Sequence, residues 1–260
     1  MSDSDDEVRY EVVEGSAHII IDRPDRRNAI NPNVARSISR HLKRAADDGV
    51  RVIVLTGEGN KSFCAGGDLG DMSGEGATAQ HFERAEIGEL IRAMRTAPLP
   101  IIARVNGHAL AGGFGLMLAC DLVVASDDVE MGMPEINLGL WPFMISALVQ
   151  RDIPRKIALE LMFTGRRIAA EEGARYGFVN RVVARGELDR AVREITDELA
   201  SKSPLILSLG KRSFYRAEDM DVDSALEYLA GMLSLCLQSE DTAEGVSAFF
   251  QKRKPQWKGR

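Results

Sequence analysis

The stretch Asn106-Gly107-His108-Ala109-Leu110-Ala111-Gly112-Gly113-Phe114-Gly115 decides how this chain is read. It follows Ile101-Ile102-Ala103-Arg104-Val105, an apolar run suited to a buried strand, and it opens a helix reaching Cys120. Glycine permits close backbone approach and positive φ, so such a turn can aim bare N–H groups at a ligand. A second glycine-rich turn has the same setting. Phe63-Cys64-Ala65-Gly66-Gly67-Asp68-Leu69 follows the run Arg51-Val52-Ile53-Val54-Leu55-Thr56-Gly57. Two such turns can aim two N–H groups at one oxygen, which is the arrangement that stabilises a developing oxyanion. Either turn alone is equally compatible with a structural role. Neither reads G-x-G-x-x-G and neither ends in Gly-Lys-Ser/Thr, so a nucleotide-phosphate cradle is not supported.

Outward from these turns, strands alternate with helices through the first two thirds of the chain. Tyr10–Val13 and His18–Asp22 read as a strand pair around Glu14-Gly15-Ser16. Asn31 reads as a helix N-cap with Pro32 at the first helical position, followed by Val34, Ile38, His41, Leu42 and Ala45 at helical spacing. A helix is predicted over Ala79–Arg95, and short strands over Leu122–Ala125 and Val129–Met131. After Pro142 the pattern becomes mostly helical, over Phe143–Arg151, Arg155–Phe163, Ala170–Tyr176, Glu187–Ser201, Pro204–Arg216, Val222–Gln238 and Ala243–Lys252, with one more strand over Phe178–Val183. No internal sequence repeat is visible. Strands followed by a run of helices fit a mixed core, α/β (α+β), carrying a helical layer.

Bulk properties narrow the function classes. The chain has 260 residues, 45% of them hydrophobic and 28% charged, as in ordinary globular proteins. A net charge of −6 disfavours a general nucleic-acid binder. Cys64, Cys120 and Cys236 are odd in number and lack a C-x-x-C spacing, which argues against a disulfide framework or a zinc site. The four histidines have no ligand spacing, so no metal site is expected. No apolar run reaches the length of a membrane span, and the acidic start Ser2-Asp3-Ser4-Asp5-Asp6-Glu7 lacks the pattern of a signal peptide and reads as a frayed tail. A cytoplasmic setting with no membrane and no nucleic-acid partner is the expectation.

Between the second turn and Pro142 lies Met131-Gly132-Met133-Pro134-Glu135-Ile136-Asn137-Leu138-Gly139-Leu140-Trp141-Pro142. With Arg27-Asn28-Ala29, the two turns, Cys120-Asp121, Phe163-Thr164-Gly165, Gly177-Phe178-Val179-Asn180 and Glu244-Gly245-Val246-Ser247-Ala248-Phe249, the chain resembles the crotonase superfamily, also called the enoyl-CoA hydratase/isomerase family. The resemblance runs from about Tyr10 to Lys254. It implies a spiral of ββα turns over residues 1–200. It also implies a C-terminal helical region over 201–260 that builds a homotrimer, often doubled to a hexamer. The apolar stripe Leu226, Leu229, Ala230, Leu233 and Leu237 is either an intrachain core face or an oligomer face, and the resemblance favours the latter. The basic tail from Lys252 to Arg260 reads as a solvated end, although in similar proteins a tail lysine can reach a CoA phosphate.

The resemblance also implies a site. The oxyanion N–H donors fall on Gly67 and Gly112, the latter at a helix N-terminus whose dipole favours negative charge. An acyl-CoA thioester is the expected substrate, with no cofactor beyond the CoA it carries. Its path runs by Arg26, Arg27, Ala29, Ala65, Gly67, Asp68, Leu69 and Gly70. Typical hydratases of the family use two glutamates twenty residues apart. Here the second is present as Glu135 and the first position is Gly115. A single carboxylate is enough to move a proton from C2 of a 3-enoyl thioester to C4, and double-bond-shifting members look similar, keeping only the glutamate at the Glu135 position. Eight residues further on, where dienoyl-CoA isomerase-like and dehalogenase-like members carry aspartate, the chain has Phe143. The run Leu140-Trp141-Pro142-Phe143-Met144-Ile145 lines an acyl pocket or is plain core. The reading is an enoyl-CoA isomerase with Glu135 as proton shuttle. The alternatives are an enoyl-CoA hydratase in which Asp71, Glu75, Glu86 or a water replaces the missing glutamate, and an acyl-CoA-binding protein without catalysis.

Overall fold

The computed structural model describes residues 7–68 and 77–260, with the side chains of 77–84 excepted. Leu69, Gly70, Asp71 and Glu75 lie outside the described residues, as do residues 1–6. Glu7, expected to fray, is fixed instead. Its carboxylate meets Arg23 Nε at 2.8 Å and accepts from Asn31 Nδ2 at 3.1 Å.

A hairpin of β1 (Val8–Val13) and β2 (Ser16–Ile21) opens the chain and leads into α1 (Pro32–Asp47). Asn31 caps this helix by accepting the Val34 N–H at 2.8 Å, so the Asn-Pro pair starts it through purely local chemistry. One pass then repeats three times. β3 (Val52–Gly57) joins a large sheet, β4 (Ser62–Cys64) joins a small one, and α2 (Ala77–Thr96) returns. β5 (Ile101–Val105), β6 (His108–Leu110) and α3 (Gly112–Leu118) follow, then β7 (Leu122–Ser126), β8 (Glu130–Gly132) and α4 (Ser146–Asp152). The chain continues with α5 (Arg155–Thr164), β9 (Arg167–Ala169), α6 (Ala170–Tyr176), β10 (Arg181–Val183) and α7 (Leu188–Ala200). It ends with α8 (Pro204–Ala217), α9 (Val222–Leu237) and α10 (Glu240–Phe250).

The large sheet has the order β1-β2-β3-β5-β7-β10 and the small sheet β4-β6-β8-β9. All pairs are parallel except β1 with β2 and β8 with β9. A strand covered on both faces needs apolar residues on both, which explains the unbroken run in β3. Ile53 and Leu55 face the main core, whereas Val52 and Val54 pack with Leu188, Ala191, Val192 and Ile195 of α7.

Several boundaries differ from the sequence expectation. Phe63-Cys64 and His108–Leu110 read as parts of turns but are the strands β4 and β6, three residues each. β9 was not foreseen either, because a strand this short leaves no periodicity to read. The helix expected from Phe143 begins at Ser146, and the strand expected from Phe178 is confined to Arg181–Val183. The last helix starts at Glu240 because Ser239 Oγ accepts the Thr242 N–H at 3.1 Å.

α9 buries none of its own residues, and Leu226 and Leu233 are 62% and 59% exposed. Its apolar stripe is therefore not an intrachain core face. The tail is not a loose end. Buried Asp241 accepts from Ser203 Oγ at 2.5 Å and from the Lys258 and Gly259 N–H groups at 2.7 and 3.1 Å, and its own N–H donates to the Arg260 carbonyl at 3.2 Å. Burial pushes the Asp241 carboxyl up, but these hydrogen bonds and nearby Arg51 bring it below its ordinary value. Lys258 and Arg260 pair with Glu240, and Arg253 pairs with Glu244. Among the described residues, no helix is long and apolar enough to cross a membrane.

Candidate active site

The two glycine-rich turns leave neighbouring strands. β4 and β6 pair in parallel, with Ser62 opposite His108 and Cys64 opposite Ala109. The turns therefore meet backbone to backbone. A Cβ on Gly66 would lie 2.8 Å from Ala111 Cβ and 3.0 Å from the Gly112 nitrogen. A Cβ on Gly112 would lie 3.4 Å from the Gly67 nitrogen. Ile30 holds the first turn by donating to the Gly66 carbonyl at 2.7 Å and accepting the Asp68 N–H at 2.8 Å. The Gly67 N–H between them has no acceptor among the described residues, and neither has the Gly112 N–H. Ala111, just before Gly112, sits at φ 52° and ψ −129°, a conformation that L-residues rarely adopt. Its N–H donates to the Gly132 carbonyl at 2.9 Å, and its carbonyl accepts from Phe114 and Gly115. Surrounding bonds thus hold a strained residue, a pattern typical of functional sites.

Glu135 follows β8, the other neighbour of β6, in a 3-10 turn over Pro134–Leu138. It is half-buried, and its Oε2 is fully buried without a hydrogen-bond partner among the described residues. Burial raises its carboxyl above the ordinary 4.5, against a smaller opposing effect of its own backbone N–H. A carboxylate in this state has the properties of a general base, because no partner competes for its lone pairs and its proton affinity is enhanced.

Position 115 is closed to any second carboxylate. A Cβ there would lie 2.0 Å from Ile145 Cγ2 and 2.6 Å from Ile145 Cβ. Glu86 is engaged elsewhere, with its carboxylate 3.3 Å from Arg36 Nη1. The apolar run before α4 divides in two. Ile145 is core at 3% exposure, whereas Phe143 is 77% exposed, with Leu140 and Met144 also exposed. Trp141 lies against Phe163 with ring centroids 5.6 Å apart.

Among the residues of the expected acyl-CoA path, Arg26 and Arg27 are exposed and make no side-chain hydrogen bond or ion pair with the described residues. Ala29 is buried and its carbonyl accepts from Arg23 Nη1 at 2.7 Å. Ala65 donates its N–H to the Arg27 carbonyl at 3.1 Å, which joins the first turn to the arginine pair. Asp68 is bound to Arg23 Nη2 at 2.9 Å. Arg23 had read as an ordinary exposed charge. Flanked by Glu7 and Asp68, it is instead a nearly buried clamp.

Two asparagines whose roles were not visible in sequence also build the site's frame. Asn28, at φ 56°, accepts from Arg23 N and donates to the carbonyls of Glu58 and Ser62. Asn106 donates to the carbonyls of Gly57 and Gly59 at 2.6 Å each and accepts from Thr56 Oγ1 at 3.0 Å. An asparagine adjoining glycine or arginine in a turn was the available signal, since this side chain both bonds locally and tolerates left-handed φ.

Other features fall away from this site. Burial pushes the Cys64 thiol up to about 12, so it is a core side chain rather than a nucleophile. A cavity of about 870 Å³ beside α8 and α10, lined by Leu199, Ile206, Leu207, Phe214, Val246 and Trp257 among others, includes none of Gly67, Gly112 or Glu135.

The sequence profile of the family described as Enoyl-CoA hydratase/isomerase matches residues 11–260. The chain is 35% identical over 246 residues to the mitochondrial enoyl-CoA hydratase domain-containing protein 3 of Rattus norvegicus, covering 94% of this chain and 82% of that one. It is 35% identical over 248 residues to the carnitinyl-CoA dehydratase of Proteus mirabilis, covering 93% and 94%. The crystal structure of an enoyl-CoA hydratase from Mycobacterium smegmatis superposes with a TM-score of 0.92 at 31% identity, covering 96% of this chain and 98% of that one. The three ββα passes are thus the crotonase fold, and the chain belongs to the enoyl-CoA hydratase/isomerase family as an enzyme of the hydratase/isomerase type.

Proposed function

We propose that the protein isomerises the double bond of an enoyl-CoA, with Glu135 as sole proton carrier and the Gly67 and Gly112 N–H groups as the oxyanion hole. One observation carries the choice of reaction: Ile145 overlaps the position that a second carboxylate would need. Among the described residues, Glu135 is the only carboxylate with a buried oxygen that lacks a hydrogen-bond partner. In the reaction, Glu135 takes a proton from C2 of a 3-enoyl thioester. The C2–H pair moves toward the thioester oxygen, whose charge the two N–H donors stabilise. The proton returns at C4 as the C2=C3 bond forms. Glu135 ends as it began and no water is consumed.

The names of the relatives, hydratase and carnitinyl-CoA dehydratase, favour a second reading in which water is added to a 2-enoyl-CoA or lost from its hydrated form. The two readings separate when 3-enoyl-CoA and 2-enoyl-CoA are supplied in turn and the products are weighed by mass spectrometry. Conversion of 3-enoyl to 2-enoyl without added water supports isomerisation. A hydrated product from the 2-enoyl substrate, with the 3-enoyl substrate untouched, overturns it.

We further propose that residues 201–260 form a helical region that builds a homotrimer or hexamer through α9. A helix that buries none of its residues while carrying four exposed leucines on one stripe is an interface in want of a partner. Leu226→Asp combined with Leu233→Asp is expected to lower the light-scattering mass to that of a monomer. An unchanged mass would remove α9 from the interface.

A further inference from the structure

We propose that Ile145 decides which reaction this site runs, by filling the volume that a second carboxylate and its water would occupy. The inference rests on the isomerase reading and names the residue that enforces it. Position 115 lies one turn along α3 from the Gly112 donor. A Cβ there meets the branch point of Ile145, at 2.6 Å from Cβ and 2.0 Å from Cγ2, rather than the far end of a flexible chain. Even alanine overlaps at that distance.

Ile145 has little room to yield. It is at the start of α4, with φ −80° and ψ −15°, and its carbonyl accepts the Leu148 and Val149 N–H groups at 2.9 and 3.0 Å. Its β-branched side chain is stiff about χ1 and nearly fully buried. Loss of a glutamate would by itself leave a recess next to α3. A recess with polar walls takes up water, whereas one filled by methyl groups stays dry. The isoleucine therefore does more than replace a missing carboxylate, because it denies water the place from which it would attack. A proton held on Glu135 then has the substrate's own carbon as its acceptor.

The test uses two kinds of variant. Ile145→Ala reopens the recess without adding a carboxylate. With 3-enoyl-CoA in deuterated water, its product is expected to carry several times the deuterium of the wild-type product, because solvent now exchanges with the proton on Glu135. Gly115→Glu alone is expected to lose about 5–10 °C of Tm from overpacking. Adding Ile145→Gly to it should restore the Tm and raise kcat/KM for hydration of 2-enoyl-CoA by about 10²-fold or more, the usual contribution of a positioned acid or base.

Unchanged deuterium content in Ile145→Ala overturns the role of Ile145. So does Gly115→Glu with the wild-type Tm, or a stable double variant that hydrates no faster than wild type. In these cases, wild-type isomerisation leaves the reading of the reaction intact. A wild type that hydrates 2-enoyl-CoA without isomerising 3-enoyl-CoA overturns both.

Discussion

Glu135→Gln is expected to lower kcat for 3-enoyl-CoA by about 10²–10⁴-fold while CoA-ester binding persists, because the amide keeps the shape and loses the proton transfer. The pH profile of the wild type carries the same information. Glu135 must be ionised to accept the C2 proton, so the rate is lost as pH falls through its folded pKa. Burial raises that pKa, so the acidic limb is expected above the ordinary 4.5. The stability effect has the opposite sense. A carboxyl with a raised folded pKa favours the folded state fully below its unfolded pKa, and that contribution is lost as pH rises through the folded value. At neutral pH the ionised, unpartnered carboxylate is a burden, so Glu135→Gln is expected to melt above wild type there. The difference should vanish in acid, where both side chains are neutral. An inactive variant that also melts lower at neutral pH would point to a structural role for Glu135 instead.

Gly66→Ala is expected to lower kcat by about 10²-fold or more, the effect of losing one oxyanion donor. The added methyl would sit 2.8 Å from Ala111 Cβ and 3.0 Å from the Gly112 nitrogen, as a wedge between the two donor turns. The substitution also strains the backbone, since Gly66 is at φ 99°. Gly177→Ala separates the two effects. Gly177 has φ 93°, but a Cβ there meets nothing within 4 Å. It should show a comparable Tm loss with activity retained. If both variants lose activity alike, backbone strain rather than the wedge is responsible, and the assignment of the two donors fails.

Local chemistry was legible in the sequence, and geometry brought in from distant residues was not. The start of α1 could be read from Asn31-Pro32 because a cap involves only its own first turn. Strands β4, β6 and β9 could not be read, because three residues show no period and their existence depends on neighbours far along the chain. The threefold ββα pass is likewise a repeat of topology without a repeat of sequence. The stripe on α9 was visible as a stripe, but periodicity cannot say what covers it. At the site, Glu135 and the two glycines stood out through the family motif. Ile145 did not, since its effect at position 115 depends on how α4 packs against α3. Arg23 was misjudged for a related reason, because Glu7 and Asp68 approach it from separate parts of the chain.

The two donor turns and Glu135 leave the ends of β4, β6 and β8, which are consecutive neighbours in the small sheet. Strands of three residues have no stability in isolation, so each persists only while the others do. The catalytic groups therefore stand or fall as one cooperative unit, and no state with half a site is populated. Backbone amides of the three strands should exchange with solvent at a common rate. Under mild denaturant, activity should disappear in step with that exchange rather than ahead of it.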